Sequence, residues 1–100
     1  MILCRSSATT YLVEQYLPHA TAAEVEPWVA ALAEAADRHA RSRCSIFVPD
    51  DDLCFHVLTA ASPEAAVRAA ELAGITPERT IEATAWLLLD QPRPMREDKR

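Results

Sequence analysis

Glycine occurs once in the 100 residues. That scarcity excludes a G-x-G-x-x-G fingerprint, a P-loop and a glycine-rich linker. Each of these needs several glycines where backbone approaches phosphate or takes a positive φ. Cysteines are also few. Cys4, Cys44 and Cys54 are an odd number with no C-x-x-C, which suits reduced thiols better than a disulfide framework. Basic charge is short: ten Lys and Arg stand against fifteen Asp and Glu, for a net charge of −5 and a pI near 5.1. An acidic domain repels nucleic-acid phosphates, so nucleic acid is not an expected partner. No apolar run approaches the roughly 20 residues of a membrane-spanning helix, and the first residues lack the apolar centre of a secretory signal. The expected location is the cytoplasm, with no membrane partner.

What the chain does have is apolar content of 50 %, charged content of 25 % and nineteen alanines, the mark of one folded domain. Aromatic and β-branched residues from Thr10 to Leu17, closed by Pro18, predict a strand. Thr21-Ala22-Ala23-Glu24 has the form of a capping box. Behind it Val25, Trp28, Val29, Leu32, Ala36 and His39 recur at helical spacing, which predicts a helix to about Ala40, with Pro27 as a kink or a restart. Two strands, Arg43 to Val48 and Leu53 to Leu58, flank the turn Pro49-Asp50-Asp51-Asp52. If Val48 pairs with Leu53, then Ile46 faces Phe55 and Cys44 faces Val57 on one side of the hairpin. Phe47 then meets Cys54, and Ser45 meets His56, on the other. Ser62-Pro63-Glu64 opens a second helix, and Gly74 is placed to end it in the left-handed conformation. Thr80 to Leu87 is the fourth strand.

The order β-α-β-β-α-β predicts an α+β, ferredoxin-like domain: a four-stranded antiparallel sheet with two helices on one face. Residues 10–89 form this domain, residues 1–9 an N-terminal extension and residues 90–100 a flexible tail. Polarity assigns Val13, Leu17, Cys44, Ile46, Val48, Phe55, Val57, Ile81, Ala83 and Ala85 to the helix side. The open side then carries Leu12, Glu14, Tyr16, Ser45, Phe47, Cys54, His56, Leu58, Glu82, Thr84 and Trp86. Tyr16, Phe47 and Trp86 together mark an interface or a ligand-packing surface, most simply a dimer seam. Glu14, His56 and Glu82 read either as rim and ion-pair residues or as groups converging on one metal ion or substrate. Imidazole and carboxylate suit nickel, zinc and copper, and a Cys54 thiolate adds affinity for the softer ions. His39 reads as a cation complementing the end of the first helix, and Asp50-Asp51-Asp52 as a turn rather than a calcium loop. There is no nucleophile elbow and no paired His-Asp signature for acyl transfer.

Tyr11-Leu12-Val13-Glu14, Ser62-Pro63-Glu64-Ala65-Ala66-Val67, Ala73-Gly74-Ile75 and Arg79-Thr80-Ile81-Glu82, in that order, resemble a family of small bacterial ferredoxin-like proteins described as nickel-binding. The resemblance runs from about Thr10 to Trp86. It implies binding of nickel or another divalent transition metal, with Glu14 and Glu82 at the family's two glutamate positions. Three positions depart from the pattern. Gln15 stands for an arginine, His56 for a cysteine and Thr59 for an acidic residue.

Two functions follow as expectations. One is a cytoplasmic homodimer, packed through the open face, that binds a divalent ion through His56, Cys54, Glu14 and Glu82. The other is a dimeric α/β-barrel type enzyme or small-molecule-binding protein with its cavity on the open face. There Glu14, His56 or Glu82 would act as general acid or base, with Trp86 and Tyr16 packing on the substrate.

Overall fold

The structure is a computed structural model that describes residues 2–5 and 9–89, with side chains described for 9–86. Its elements run β1 (Ile2–Arg5), β2 (Thr9–Tyr16), α1 (Ala22–Glu34), β3 (Ala40–Val48), a 3₁₀ turn (Pro49–Asp51), β4 (Leu53–Ala60), α2 (Pro63–Leu72), β5 (Arg79–Ala83) and β6 (Trp86–Leu89). Four strands form one antiparallel sheet in the order β3-β4-β2-β5, with the two helices on one face. This is the ferredoxin-like α+β arrangement that the element order predicts.

The remaining strands form a separate two-stranded ribbon, in which Arg5 pairs with Trp86 and Ile2 with Leu89. The segment expected as a plain extension therefore contains a strand. The expected fourth strand is divided at Thr84-Ala85 between the sheet and the ribbon. The tail at 90–100 lies outside the described residues.

Local chemistry explains the helix ends. The Thr21 hydroxyl accepts from the Glu24 N–H at 3.3 Å while Glu24 Oε1 accepts from the Thr21 N–H at 2.8 Å, so the capping box is closed from both sides. Pro27 lies inside α1. The helix stops at Glu34, well short of Ala40, because the Asp37 carboxylate accepts from the N–H groups of both His39 and Ala40. Those bonds commit the segment to a turn and start β3 early. His39 is therefore an exposed turn residue, not the last-turn cation of a helix. The same two bonds hold the Asp37 carboxyl below its ordinary pKa, the His39 N–H contributing most.

α2 starts with Ser62 accepting from Ala65 N–H and proline at its first position. It ends with Gly74 at φ +83, donating to Glu71, while Ile75 N–H reaches back to Ala70. This double closure satisfies the last carbonyls and turns Ile75, 1 % exposed, into the core. The positive φ strains any other residue at Gly74, and a Cβ there would lie 3.2 Å from the Trp28 ring, which would have to shift by a few tenths of an ångström.

The core lies between sheet and helices. Tyr11, Val13, Leu58 and Ala60 from the strands meet Leu32, Ala66, Ala69, Ala70 and Ile75. The small side chains of α2 let it lie close on the sheet, and Leu32, Leu58 and Ile75 fill the space they leave. Each such fully buried side chain contributes about 1.5–3 kcal/mol.

The hairpin register is the one that the sequence predicts. Val48 pairs with Leu53, Phe47 with Cys54, Ile46 with Phe55, Ser45 with His56 and Cys44 with Val57. Its orientation is the opposite. Tyr11, Val13 and Gln15 of β2 lie beside Leu58, His56 and Cys54, and these are the core-facing positions. Along β4, Cys54, His56, Leu58 and Ala60 are buried and the residues between them are not. The open face therefore carries Leu12, Glu14, Tyr16, Cys44, Ile46, Val48, Leu53, Phe55, Val57, Ile81 and Ala83. Polarity misled because the more apolar side of the hairpin was assigned inward. The inner side instead tolerates His56, Ser45 and Gln15 because they satisfy one another.

Candidate functional site

His56 is fully buried in the middle of β4. Its Nε2 lies 2.9 Å from Gln15 Oε1, and its Nδ1 lies 2.7 Å from the Ser45 hydroxyl. An amide oxygen only accepts, so with this assignment Nε2 carries the proton. Nδ1 then accepts from the Ser45 O–H. The three residues sit side by side because β4 lies between β2 and β3 and their registers align: Ser45 opposes His56, and Gln15 opposes Cys54 one pleat away. Burial pushes the His56 pKa down to about 4, so the ring is neutral at neutral pH. Burial likewise raises the Cys54 pKa, so its sulfur is a thiol.

The four expected ligands do not gather at one point. Cys54 and His56 are neighbours on the inner face. Glu14 opposes Phe55 on the outer face, where Arg79 Nη2 holds its Oε2 at 3.0 Å. Glu82 opposes Tyr11, so it is an exposed residue of the edge strand on the helix side. Burial first, then the charges of Glu82 and Glu64, raise the pKa of the Tyr11 phenol. Among the described residues no group of three or more His, Cys, Asp and Glu side chains is disposed to hold a metal ion. The four-donor set thus does not fit one ion, and only its Cys54–His56 half stays together.

The three aromatic residues also separate. Tyr16, 54 % exposed, stands at one end of the open face. Phe47 opposes Cys54 and so belongs to the inner face. Trp86, 56 % exposed, lies on the β1–β6 ribbon. An acid–base site on the open face therefore has neither His56 nor Glu82, and the expected carboxylate that does lie there, Glu14, is engaged by Arg79.

The open face that results is an apolar surface. Leu12, Val48, Leu53, Phe55, Val57 and Ile81 are partly exposed and Ile46 is 52 % exposed, all on neighbouring strands. At one end of this face, where the β3–β4 register slips between Ser42 and Cys44, lies a cleft of about 470 Å³. The sequence reading missed this cleft. A bulge leaves no composition signal, although the run Arg38-His39-Ala40-Arg41-Ser42-Arg43 was visible as a basic island in an acidic chain.

Comparison of the chain with protein-family models, with curated proteins and with solved structures finds no match. Among the described residues no helix is long and apolar enough to cross a membrane.

Proposed function

We propose that this chain is a homodimeric binding module assembled by stacking the open faces of two copies. The observation that carries this reading is the row of Leu12, Ile46, Val48, Phe55, Val57 and Ile81 on a face that leaves them partly or largely exposed among the described residues. Four strands of about seven residues span roughly 450 Å² of plane. That is already as large as the apolar patch an ordinary monomer exposes, and side-chain relief brings it toward the roughly 800 Å² that each partner buries in a standard interface. Charge supports a second copy as the occupant. Arg41 and Arg43 stand at the root of the β3–β4 hairpin, and Asp50 and Asp51 at its tip. A two-fold axis perpendicular to the strands lays the basic root of one copy over the acidic tip of the other.

Native mass measures this directly. The wild type is expected at twice 11.0 kDa. Ile46→Asp is expected at the monomer mass with an unchanged far-ultraviolet circular dichroism spectrum, because Ile46 contributes nothing to the core. A monomeric wild type at micromolar concentration sinks the reading.

A second reading keeps the divalent ion that the resemblance implies, on the single observation that Cys54 and His56 are buried side by side. Nickel there would have to displace Ser45 or Gln15 from the imidazole. Metal analysis of untagged protein, with calorimetry of His56→Ala, tests it. Retained stoichiometric nickel that disappears in the variant supports this reading, and unchanged affinity in the variant removes it.

A further inference from the structure

The cleft at the bulged end of the open face is lined by Thr10, Arg43, Cys44, Val57, Thr59 and Ala85 among others. Its volume of about 470 Å³ falls within the range of small-molecule sites. Three observations give it a chemical character. First, the bulge at Arg43 interrupts the ladder and brings both Arg43 and the exposed Cys44 to the cleft, the kind of re-aiming that bulges produce near functional sites. Second, Thr10 is only 3 % exposed and lines this cleft, yet it takes part in none of the side-chain hydrogen bonds among the described residues. Its cross-strand neighbour Thr59 lines the same cleft, so two hydroxyls stand together beside a guanidinium. Third, four of the five basic side chains of residues 9–86 lie along this cleft and two others near it. Between residues 9 and 86 the basic side chains are Arg38, Arg41, Arg43, Arg68 and Arg79. Arg79 is paired with Glu14. Arg43 lines this cleft, Arg38 and Arg41 line a second that shares Thr59 with it, and Arg68 lines a third that shares His39 and Ala61 with the second.

We infer that this cleft binds a small organic anion, a carboxylate carried on a compact apolar body. The Arg43 fork and the Thr10 and Thr59 hydroxyls donate to the carboxylate, and Val57, Ala85 and the Cys44 methylene receive the apolar part. Among the described residues no carboxylate lines this cleft. The site is distinct from the buried Ser45–His56–Gln15 group on the other side of the sheet. Arg43 and Val57 also belong to the face used in the dimer reading, where a second copy would roof the cleft, so the measurement is made in the Ile46→Asp monomer as well as in the wild type.

Cys44 is a built-in reporter. In a Cys4→Ser background the buried Cys54 is protected, so iodoacetamide alkylation, followed by mass spectrometry, reads Cys44. Sodium benzoate and sodium octanoate are the probes, with benzyl alcohol as the neutral control. Millimolar benzoate or octanoate is expected to slow Cys44 alkylation several-fold, and benzyl alcohol to leave it unchanged. Arg43→Gln, an exposed change that the fold tolerates, is expected to weaken the carboxylate effect about ten-fold. Thr10→Val is expected to weaken it less. Absence of slowing by either carboxylate overturns the proposal, as does equal slowing by benzyl alcohol or full slowing in Arg43→Gln. Repeating the measurement in Ile46→Asp separates the two readings: protection that survives in the monomer supports the cleft even if the dimer fails.

Discussion

The two faces of β4 are built on opposite principles. The inner face, Cys54, His56, Leu58 and Ala60, is polar in part and fully buried. The outer face, Leu53, Phe55, Val57 and Thr59, is largely apolar and half exposed. Hydrophobicity alone would reverse them. What decides is satisfaction. His56 enters the interior because Ser45 and Gln15 occupy both ring nitrogens, and a neutral hydrogen-bonded group costs little to bury. Phe55 and Val57 stay outside because the helices are already seated on the other side. An apolar side chain can wait for a partner, whereas an unpaired buried imidazole cannot.

Adjacent truncations on the two faces give the largest contrast. Leu58→Ala is expected to lower unfolding stability by about 3 kcal/mol in urea titration, as deletion of a fully buried leucine does. Val57→Ala, next in sequence and outward-facing, is expected to cost under about 1 kcal/mol in the monomer. Equal costs would mean that the outer face is covered in the unit being unfolded.

Acid should attack the inner face. Folded His56 titrates near 4 and an unfolded histidine near 6.5, so as pH falls the unfolded chain takes the proton first. The stability from a neutral His56 is therefore complete above about 6.5 and declines as pH drops toward about 4, by about 3 kcal/mol at the limit. Urea titrations at pH 7.5 and pH 4.5 in wild type and His56→Gln measure it. The variant is expected to lose most of this pH dependence, and a parallel decline in both proteins would assign the effect elsewhere.

Ser45→Ala tests the satisfaction argument itself. It removes one small hydroxyl but strands Nδ1, for a cost of about 1–3 kcal/mol. The smallest effect belongs to the outer face again. Arg79→Ala breaks the Arg79–Glu14 ion pair, and with the Arg79 side chain 68 % exposed the loss should stay below about 1 kcal/mol. A larger loss would show that the Glu14 carboxylate depends on its partner for burial.

Much of the fold was legible because local rules agree with one another. Thr21 and Glu24 mark one helix start, Ser62 and Pro63 the other, and Gly74 a helix end. The Pro49–Asp52 turn sets the hairpin register correctly to the residue. The face was not legible, because the register within a hairpin says nothing about which side meets the helices. That choice is made by β2, whose Tyr11 and Val13 face inward and align with Leu58 and His56 across a distant pairing. The site suffered from the same inversion. Cys54 and His56 were correctly read as neighbours, but Glu14 was joined to them across the sheet. The cleft depended on a bulge, a one-residue irregularity that no periodicity announces.

The strand order has a consequence in time. Within the four-stranded sheet only β3 and β4 are joined by a short turn, so their hairpin can form early. The central β2 must find Ala60 through Leu53 on one side and Ala83 through Arg79 on the other, both far along the chain. Such non-local pairing is slow. Until β2 arrives, the hairpin presents two uncovered surfaces at once, including the outer row that stays apolar in the finished domain. Refolding should therefore lose yield steeply as protein concentration rises. Substituting Phe55, which leaves the core untouched, should recover much of that yield, as light scattering during dilution from urea would record.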